Sequence, residues 1–368
     1  MLRPIIILLT LLFNSTVWAN LPYAQYMDGN NVKQNITNHI FNIYSSRNNL
    51  YAVGRDSQGT SYVYIYSKLN NIFQRYTLPW DEHSATQAAV TDHCTKTSCI
   101  IYAGLYDSAS MSSVLFEIEP NATDSYNVIK VQPGPDHQFP STNNSYAFLY
   151  DPSNSLFTSG KTNGFYYRPF TDDLNSLGSH WSHNANRSTT AIGVVADKPG
   201  DPAYFFVGTT NGVIHTIYNN AGENIGFASI SELEGQHVNI SAFRVQGYGL
   251  YFGTTKGLAI GKKYQPDSDH PNQWIWNTAN LLPDDNILSV FSTYDPQINK
   301  DYNLIFVGTA QHGVSLYKVP ALQSETKDPI ALIFDKSIDI DKPVTALGAI
   351  HQTLYVGTDS GLYIQKLN

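Results

Sequence analysis

One pattern recurs along this chain and limits its fold more than any other feature. An apolar alternation ends in glycine, a short polar break follows, and a second apolar alternation begins. It reads LYVGTDSGLYIQKL at 354–367, LIFVGTAQHGVSLYKV at 304–319, LYFGTTKGLAIG at 250–261 and YFFVGTTNGVIHTIY at 204–218. Weaker copies are LYAVGRDSQGTSYVYIYS from Leu50, IIYAGLYDSASMSSVLFEIE from Ile100 and LFTSGKTNGFYYRPF from Leu156. Each copy has the form of a β-hairpin with a tight turn. The glycines that close the first runs are Gly54, Gly104, Gly160, Gly208, Gly253, Gly308 and Gly357, at steps of 50, 56, 48, 45, 55 and 49 residues. A lone hairpin cannot bury its apolar face in water, so each copy needs neighbours. Seven copies at this period predict an all-β fold, a seven-bladed β-propeller with four antiparallel strands per blade.

The intervening runs fit that count. HIFNIYSS and IFQRYTLP flank the first hairpin, TQAAVTD and YNVIKVQ the second, and VNISAFRV and QWIWNT the fifth. Asn, Asp, Gly, Pro and Ser separate nearly every run, and no segment keeps a helical period. The last repeat stops one strand short at VTALGAI, LYVGT and LYIQKL, whereas Leu21–Met27 is a strand-like run with no hairpin of its own. The N-terminal strand is therefore expected to complete the last blade and zip the ring shut. Residues 20–368 read as one propeller domain.

Residues 1–19, MLRPIIILLTLLFNSTVWA, combine an early Arg3, an apolar core from Ile5 to Phe13 and a Val17-x-Ala19 ending. That is the grammar of a signal peptide, and its apolar run is too short to span a bilayer. A secreted or periplasmic location is expected, with no membrane span. The two cysteines, Cys94 and Cys99, bracket a turn between predicted strands, so an exported chain should join them in a local disulfide. A net charge of −8 with scattered Lys and Arg offers no basic patch for phosphates, which excludes a nucleic-acid partner. A monomer is expected.

WNTANLLPDDNILSVFSTYD followed by LIFVGTAQHGVSLYKV resembles the two-component regulator propeller repeat of bacterial sensors. In that repeat a Leu-Pro-x-x-x-V/I segment precedes a G-x-L-W-V/I-G-T-x-x-G-L hairpin. The match is good in blades five to seven, fair in blade four and poor in blades one to three. The resemblance implies the propeller architecture; with no transmembrane helix or kinase after Asn368, a stand-alone propeller is expected.

In a propeller the first strand of each blade lines the central channel. Aligning those strands gathers His39, Gln87, Ser145, Thr190, Asn239 and Asn286 at one mouth, with Lys342 just before Pro343. These mostly neutral hydrogen-bonding groups suit a polar small molecule such as a glycan, and equally a water-filled channel. Trp80, Asp81, Glu82 and His83 lie in a loop above that mouth. No catalytic motif is present: there is no G-x-S-x-G elbow, no H-E-x-x-H, no glycine-rich phosphate loop and no sialidase Asp-box. No metal or cofactor is expected. The leading function is non-catalytic binding of a protein partner or a polar small molecule at the channel mouth. The alternative is a hydrolase or lyase acting on a carbohydrate or lactone there.

Overall fold

The computed structural model describes residues 21–45, 49–68, 70–80, 83–94, 99–110, 112–121, 125–131, 155–160, 164–169, 182–184, 189–195, 204–218, 224–243, 249–264, 273–279, 286–293, 302–320 and 332–367. The expected leader at 1–19 and the expected first strand of the third blade, led by Ser145, lie outside them. Among the described residues the chain is all-β, with a single 3₁₀ turn at Ser231–Leu233.

The described strands form seven small sheets taken in chain order. Sheet one contains His39–Ser45, Leu50–Arg55, Ser61–Ser67 and Ile72–Leu78; sheet two contains Gln87–Cys94, Cys99–Asp107, Ser112–Pro120 and Tyr126–Lys130. Sheet three contains Ser155–Gly160, Gly164–Pro169 and Ser182–Asn184. Sheets four, five and six begin at Thr189–Val195, Val238–Phe243 and Ile287–Thr293, and each runs antiparallel through four consecutive strands. Sheet seven contains Val344–Ile350, Thr353–Thr358 and Gly361–Lys366.

The core lies between sheets. One apolar cluster joins sheets one and two through Val53, Val63, Val90, Ile101 and Phe116. Others join sheet four to five, five to six and six to seven. A further cluster joins the two ends of the chain: Ile40, Leu50 and Ala52 of sheet one pack against Ala346, Ile350 and Tyr355 of sheet seven. The second strands are therefore covered on both faces, and Leu50 to Val53 and Thr353 to Thr358 are buried at every position.

The recurring glycine has a packing cause. A Cβ on Gly208 would lie 2.5 Å from Cγ1 of Val238, and one on Gly308 would lie 2.5 Å from Cγ1 of Val344. One on Gly357 would lie 2.6 Å from Cγ2 of Ile40. Each of these glycines is the seat for a β-branched residue at the start of the next sheet. The threonine after it closes the hairpin. Thr254 accepts from the Lys256 amide at 3.0 Å and donates to the Gly257 carbonyl at 2.9 Å. Thr209, Thr309 and Thr358 make the same two bonds in their own turns. The turn glycines adopt positive φ, +117° at Gly257, which is why a second glycine follows the break.

The N-terminal segment differs from the single closing strand expected at Leu21–Met27. Only its first part reaches sheet seven: the Ala24 amide donates to the Leu362 carbonyl at 2.8 Å, and the Ile364 amide to the Pro22 carbonyl at 3.0 Å. Gln25–Met27 turns away onto the outer edge of sheet one, parallel to Ile72–Leu78, and hairpins back as Lys33–Asn35. The split follows from the aromatic contacts. Tyr23 stacks on Tyr363 with ring centroids 4.6 Å apart, while Tyr26 lies beneath the Arg75 guanidinium and beside Tyr64 of sheet one. Ile36 then inserts, fully buried, between the two sheets and accepts the Leu362 amide at 3.0 Å.

Two stability predictions follow from these contacts. Gly308→Ala forces a methyl into Ser289 Oγ and into Val344, and overpacking of this kind costs about 1–3 kcal/mol. Adding Val344→Ala should make the double variant more stable than the sum of the two single losses, as read from denaturant midpoints. Ile36→Ala removes a fully buried side chain and should cost about 2–5 kcal/mol. A midpoint unchanged from the parent would show that the N-terminal segment does not tie the two sheets together.

Candidate functional site at the loop end

The start of each first strand pairs with the end of the second: His39 with Arg55, Val238 with Thr254, Ile287 with Thr309 and Val344 with Thr358. The segments entering each sheet and the hairpins between second and third strands therefore share one end, the loop end. First strands of sheets one and two, four and five, five and six, six and seven, and seven and one are neighbours. Residues distant in sequence meet there.

The seven expected mouth residues divide into several groups. Ser145 lies outside the described residues. Gln87 is exposed, Lys342 and Thr190 are half-buried, and the His39 ring is tilted against that of Phe41 with centroids 4.3 Å apart. Asn239 and Asn286 are joined to each other: the Asn239 amide donates to Asn286 Oδ1 at 2.7 Å and to the Ile287 carbonyl at 2.8 Å. They latch sheet five to sheet six. The same device recurs where Ser289 Oγ donates to the Val344 carbonyl at 2.8 Å and Thr345 Oγ1 to the Ile40 carbonyl at 2.5 Å. At sheets one and two, Asn42 Oδ1 accepts the Val90 amide at 3.2 Å.

A bulge underlies several of these latches. In sheets one, four, five, six and seven the first-strand pairing skips one residue, at Phe41, Thr190, Asn239, Leu288 and Thr345. Thr190 and Asn239 are thus bulge residues, whereas His39 and Gln87 lead their strands and Asn286 precedes its own. The expected ring of equivalent leading positions is not one register. An extra residue inserted into a strand leaves no mark on apolar periodicity.

A second cluster sits between sheets one and two. Ser110 Oγ donates to Asp107 Oδ2 at 2.7 Å and lies 3.0 Å from His83 Nδ1, and that nitrogen is 3.4 Å from the same carboxylate oxygen. Burial pushes the Asp107 carboxyl up, but the bonds from Ser110, the Ala109 amide and His83 outweigh it and hold the group below the usual carboxylate range. Trp80 packs on the core between the two sheets and faces the His83 ring at 4.7 Å, so it is a packed side chain with its polar neighbour outside. Asp81 and Glu82 lie outside the described residues. Arg55 crosses between the sheets, its Nη1 donating to Ser84 Oγ at 3.0 Å and to the Ala85 carbonyl at 2.6 Å. Sequence reading placed Trp80 and His83 near the mouth but missed Arg55, Asp107 and Ser110.

The cluster is not a nucleophilic relay. In a serine hydrolase the hydroxyl and the carboxylate bond opposite ring nitrogens of the histidine. Here both approach Nδ1, and the hydroxyl proton already goes to the carboxylate. What remains is an imidazole oriented by a carboxylate, a group fit to accept a proton at Nε2.

Asp92, Cys94 and Cys99 are the one set of three potential metal ligands close together among the described residues. Their sulfurs are joined in the expected Cys94–Cys99 disulfide, with Cα atoms 4.0 Å apart. The Asp92 carboxylate is occupied by Asn49 at 2.7 Å and the Tyr51 hydroxyl at 3.1 Å, and burial pushes the Tyr51 phenol up. This set lies at the opposite end of the sheet and serves structure. A cavity of about 200 Å³ lies at the loop end of sheet four, between the Thr209–Gly212 turn and Glu234.

No protein-family model and no curated protein sequence matches the chain. In fold it is similar to Sqt1 of Saccharomyces cerevisiae, a β-propeller, with a TM-score of 0.53 and 11% identity over 95% of this chain and 86% of that one. The chain has a propeller-like fold. No helix among the described residues is long and apolar enough to cross a membrane.

Asp107 supplies a pH test. Its folded pKa is depressed, so its contribution to stability is present above the unfolded carboxylate range and is lost as pH falls through the folded value. Asp107→Asn should destabilise the protein by about 1–3 kcal/mol near neutrality. Denaturation at a series of pH values should show the difference shrinking in acid. A difference independent of pH would mean that the carboxylate's charge plays no part.

Proposed function

We propose that the chain is a closed seven-bladed propeller, exported, monomeric and without a cofactor, that binds a polar small molecule or a protein partner at its loop end. The observation that carries this reading is the adjacency of the first strands, including those of sheets one and seven, which collects side chains from His39 to Lys342 at one end. The residues 22–36 that bridge sheets one and seven support closure. The disulfide fits an oxidising compartment. The resemblance to two-component regulator propeller repeats supports the same architecture and brings no catalytic groups with it.

The polar groups at this end are amides, hydroxyls and imidazoles more than acids in pairs, which favours recognition over turnover. Thermal-shift measurements with cellobiose, maltotriose, chitobiose and galactose should find a sugar that raises the melting point. Gln87→Ala and Lys342→Ala should reduce that shift, and Lys68→Ala, in the turn between the third and fourth strands at the far end, should not. Equal loss in all three variants, or no shift with any sugar, overturns a saccharide site at this mouth.

The His83–Asp107 pair favours a second reading, a hydrolase or lyase acting on a carbohydrate or lactone with His83 as proton acceptor. Product release from a panel of glycosides and lactones, abolished by His83→Ala, would establish it. Absence of release would leave binding as the activity.

A further inference from the structure

Sheets one and two depart from the rule of the hairpin turn, and sheet one does so with a cation. In sheets four to seven the residue after the recurring glycine is a threonine that closes the turn: Thr209, Thr254, Thr309 and Thr358. In sheet one that position is Arg55, and the turn passes to its neighbour. Asp56 Oδ1 accepts the Gln58 and Thr60 amides, both at 2.9 Å, and Oδ2 accepts the Tyr62 hydroxyl at 3.0 Å. Arg55 is thereby released from turn duty, and the acid next to it in sequence is bonded within its own loop.

Arg55 has a defined place and, among the described residues, no ionic partner. Both of its hydrogen bonds leave from Nη1, to Ser84 and Ala85, and they fix the plane of a guanidinium that carries five N–H donors. The edge formed by Nε and Nη2 remains, which is the edge that grips an oxyanion through two parallel bonds. The Arg55 Cζ lies 5.8 Å from the centre of the Phe41 ring, which packs on the core between sheets one and two and lies 4.3 Å from the His39 ring. Phe41 is the bulge residue of its strand, and His39 is the direct cross-strand partner of Arg55. One guanidinium, one imidazole and one apolar ring thus line a single spot between the first two sheets. Burial, and then the Arg55 charge, hold His39 below its ordinary pKa against the pull of Asp359. An arriving anion would offset the Arg55 charge felt by the imidazolium form.

We propose that Arg55, flanked by His39 and Phe41, is an oxyanion subsite that takes the carboxylate or phosphate group of a small-molecule ligand at the loop end. The subsite rests on the reading that this end is the binding face. It adds the chemical class of ligand: an acidic sugar or sugar phosphate, in place of the neutral glycan that the amides and hydroxyls alone would favour. The contacts to Ser84 and Ala85 hold the guanidinium in position before the ligand arrives, so little order is lost on binding.

Isothermal titration of the protein with D-galacturonate, D-glucose 6-phosphate and D-galactose tests this. At least one of the two anions should bind about tenfold or more tighter than galactose, and added salt should weaken it. Preference for the galacturonate or the sugar phosphate identifies which oxyanion the site takes. Arg55→Gln keeps a donor toward Ala85 but removes the charge, and should weaken the anion about tenfold or more with near-UV circular dichroism unchanged. If that variant does not fold, His39→Gln and Arg55→Lys decide: each should weaken the anion while leaving the spectrum as in the parent. Failure of both anions to bind, parity with galactose, or folded variants that bind as the parent does overturns the subsite. Galactose binding that depends on Gln87 and Lys342, with no preference for anions, would end the subsite but leave the mouth intact. Anion binding indifferent to Gln87 and Lys342 would do the reverse.

Discussion

The contact on which the architecture depends is between a glycine with no side chain and a β-branched residue of the next sheet. Gly208 receives Val238, Gly308 receives Val344 and Gly357 receives Ile40. Because the third of these pairs joins sheet seven to sheet one, the same lock that works along the chain also joins its two ends. A methyl at any of these glycines would hold the sheets apart, and the apolar clusters between them would lose their close packing. The fold is thus a series of similar interfaces and not one central core, as expected when each unit can bury its apolar faces only against neighbours.

Turn chemistry adds a second layer. In sheets four to seven a threonine hydroxyl accepts from one turn amide and donates to the turn glycine, and in sheets one and two Asp56 and Asp107 take over by accepting amides two residues on. The carboxylate does more than the hydroxyl it replaces. Asp56 reaches Tyr62, and Asp107 reaches Ser110 and His83. The unusual polar groups of the loop end are gathered in the two sheets where the turn is built from an acid.

Much of this was legible in the sequence, and the limits were physical. The glycines and the apolar alternations place the hairpins because period-two patterning survives in any sheet that is buried. The disulfide was legible because six residues from Cys94 to Cys99 leave the two sulfurs little choice. Leu21–Met27 was misleading: it reads as one strand-like run, but Tyr23 and Tyr26 find partners on different sheets, and tertiary contacts of that kind have no local signature. The expected mouth residues that the structure describes lie at the loop end but not in one register, since a bulge shifts Thr190 and Asn239 by one position without altering composition. Arg55 was visible as the departure of Gly-Arg from Gly-Thr, a signal that only becomes informative once the threonine's task is known.

The joints between sheets are not interchangeable. Sheet five holds six through paired amides, six holds seven through a serine on a carbonyl, seven holds one through a threonine, and one holds two through an asparagine on an amide. A chain of look-alike units risks docking a unit against the wrong successor while it folds. Distinct joints give each neighbour its own key, so a mis-docked pair would bury polar groups without partners and come apart. Variety at the joints preserves the order of units that would otherwise be easy to confuse.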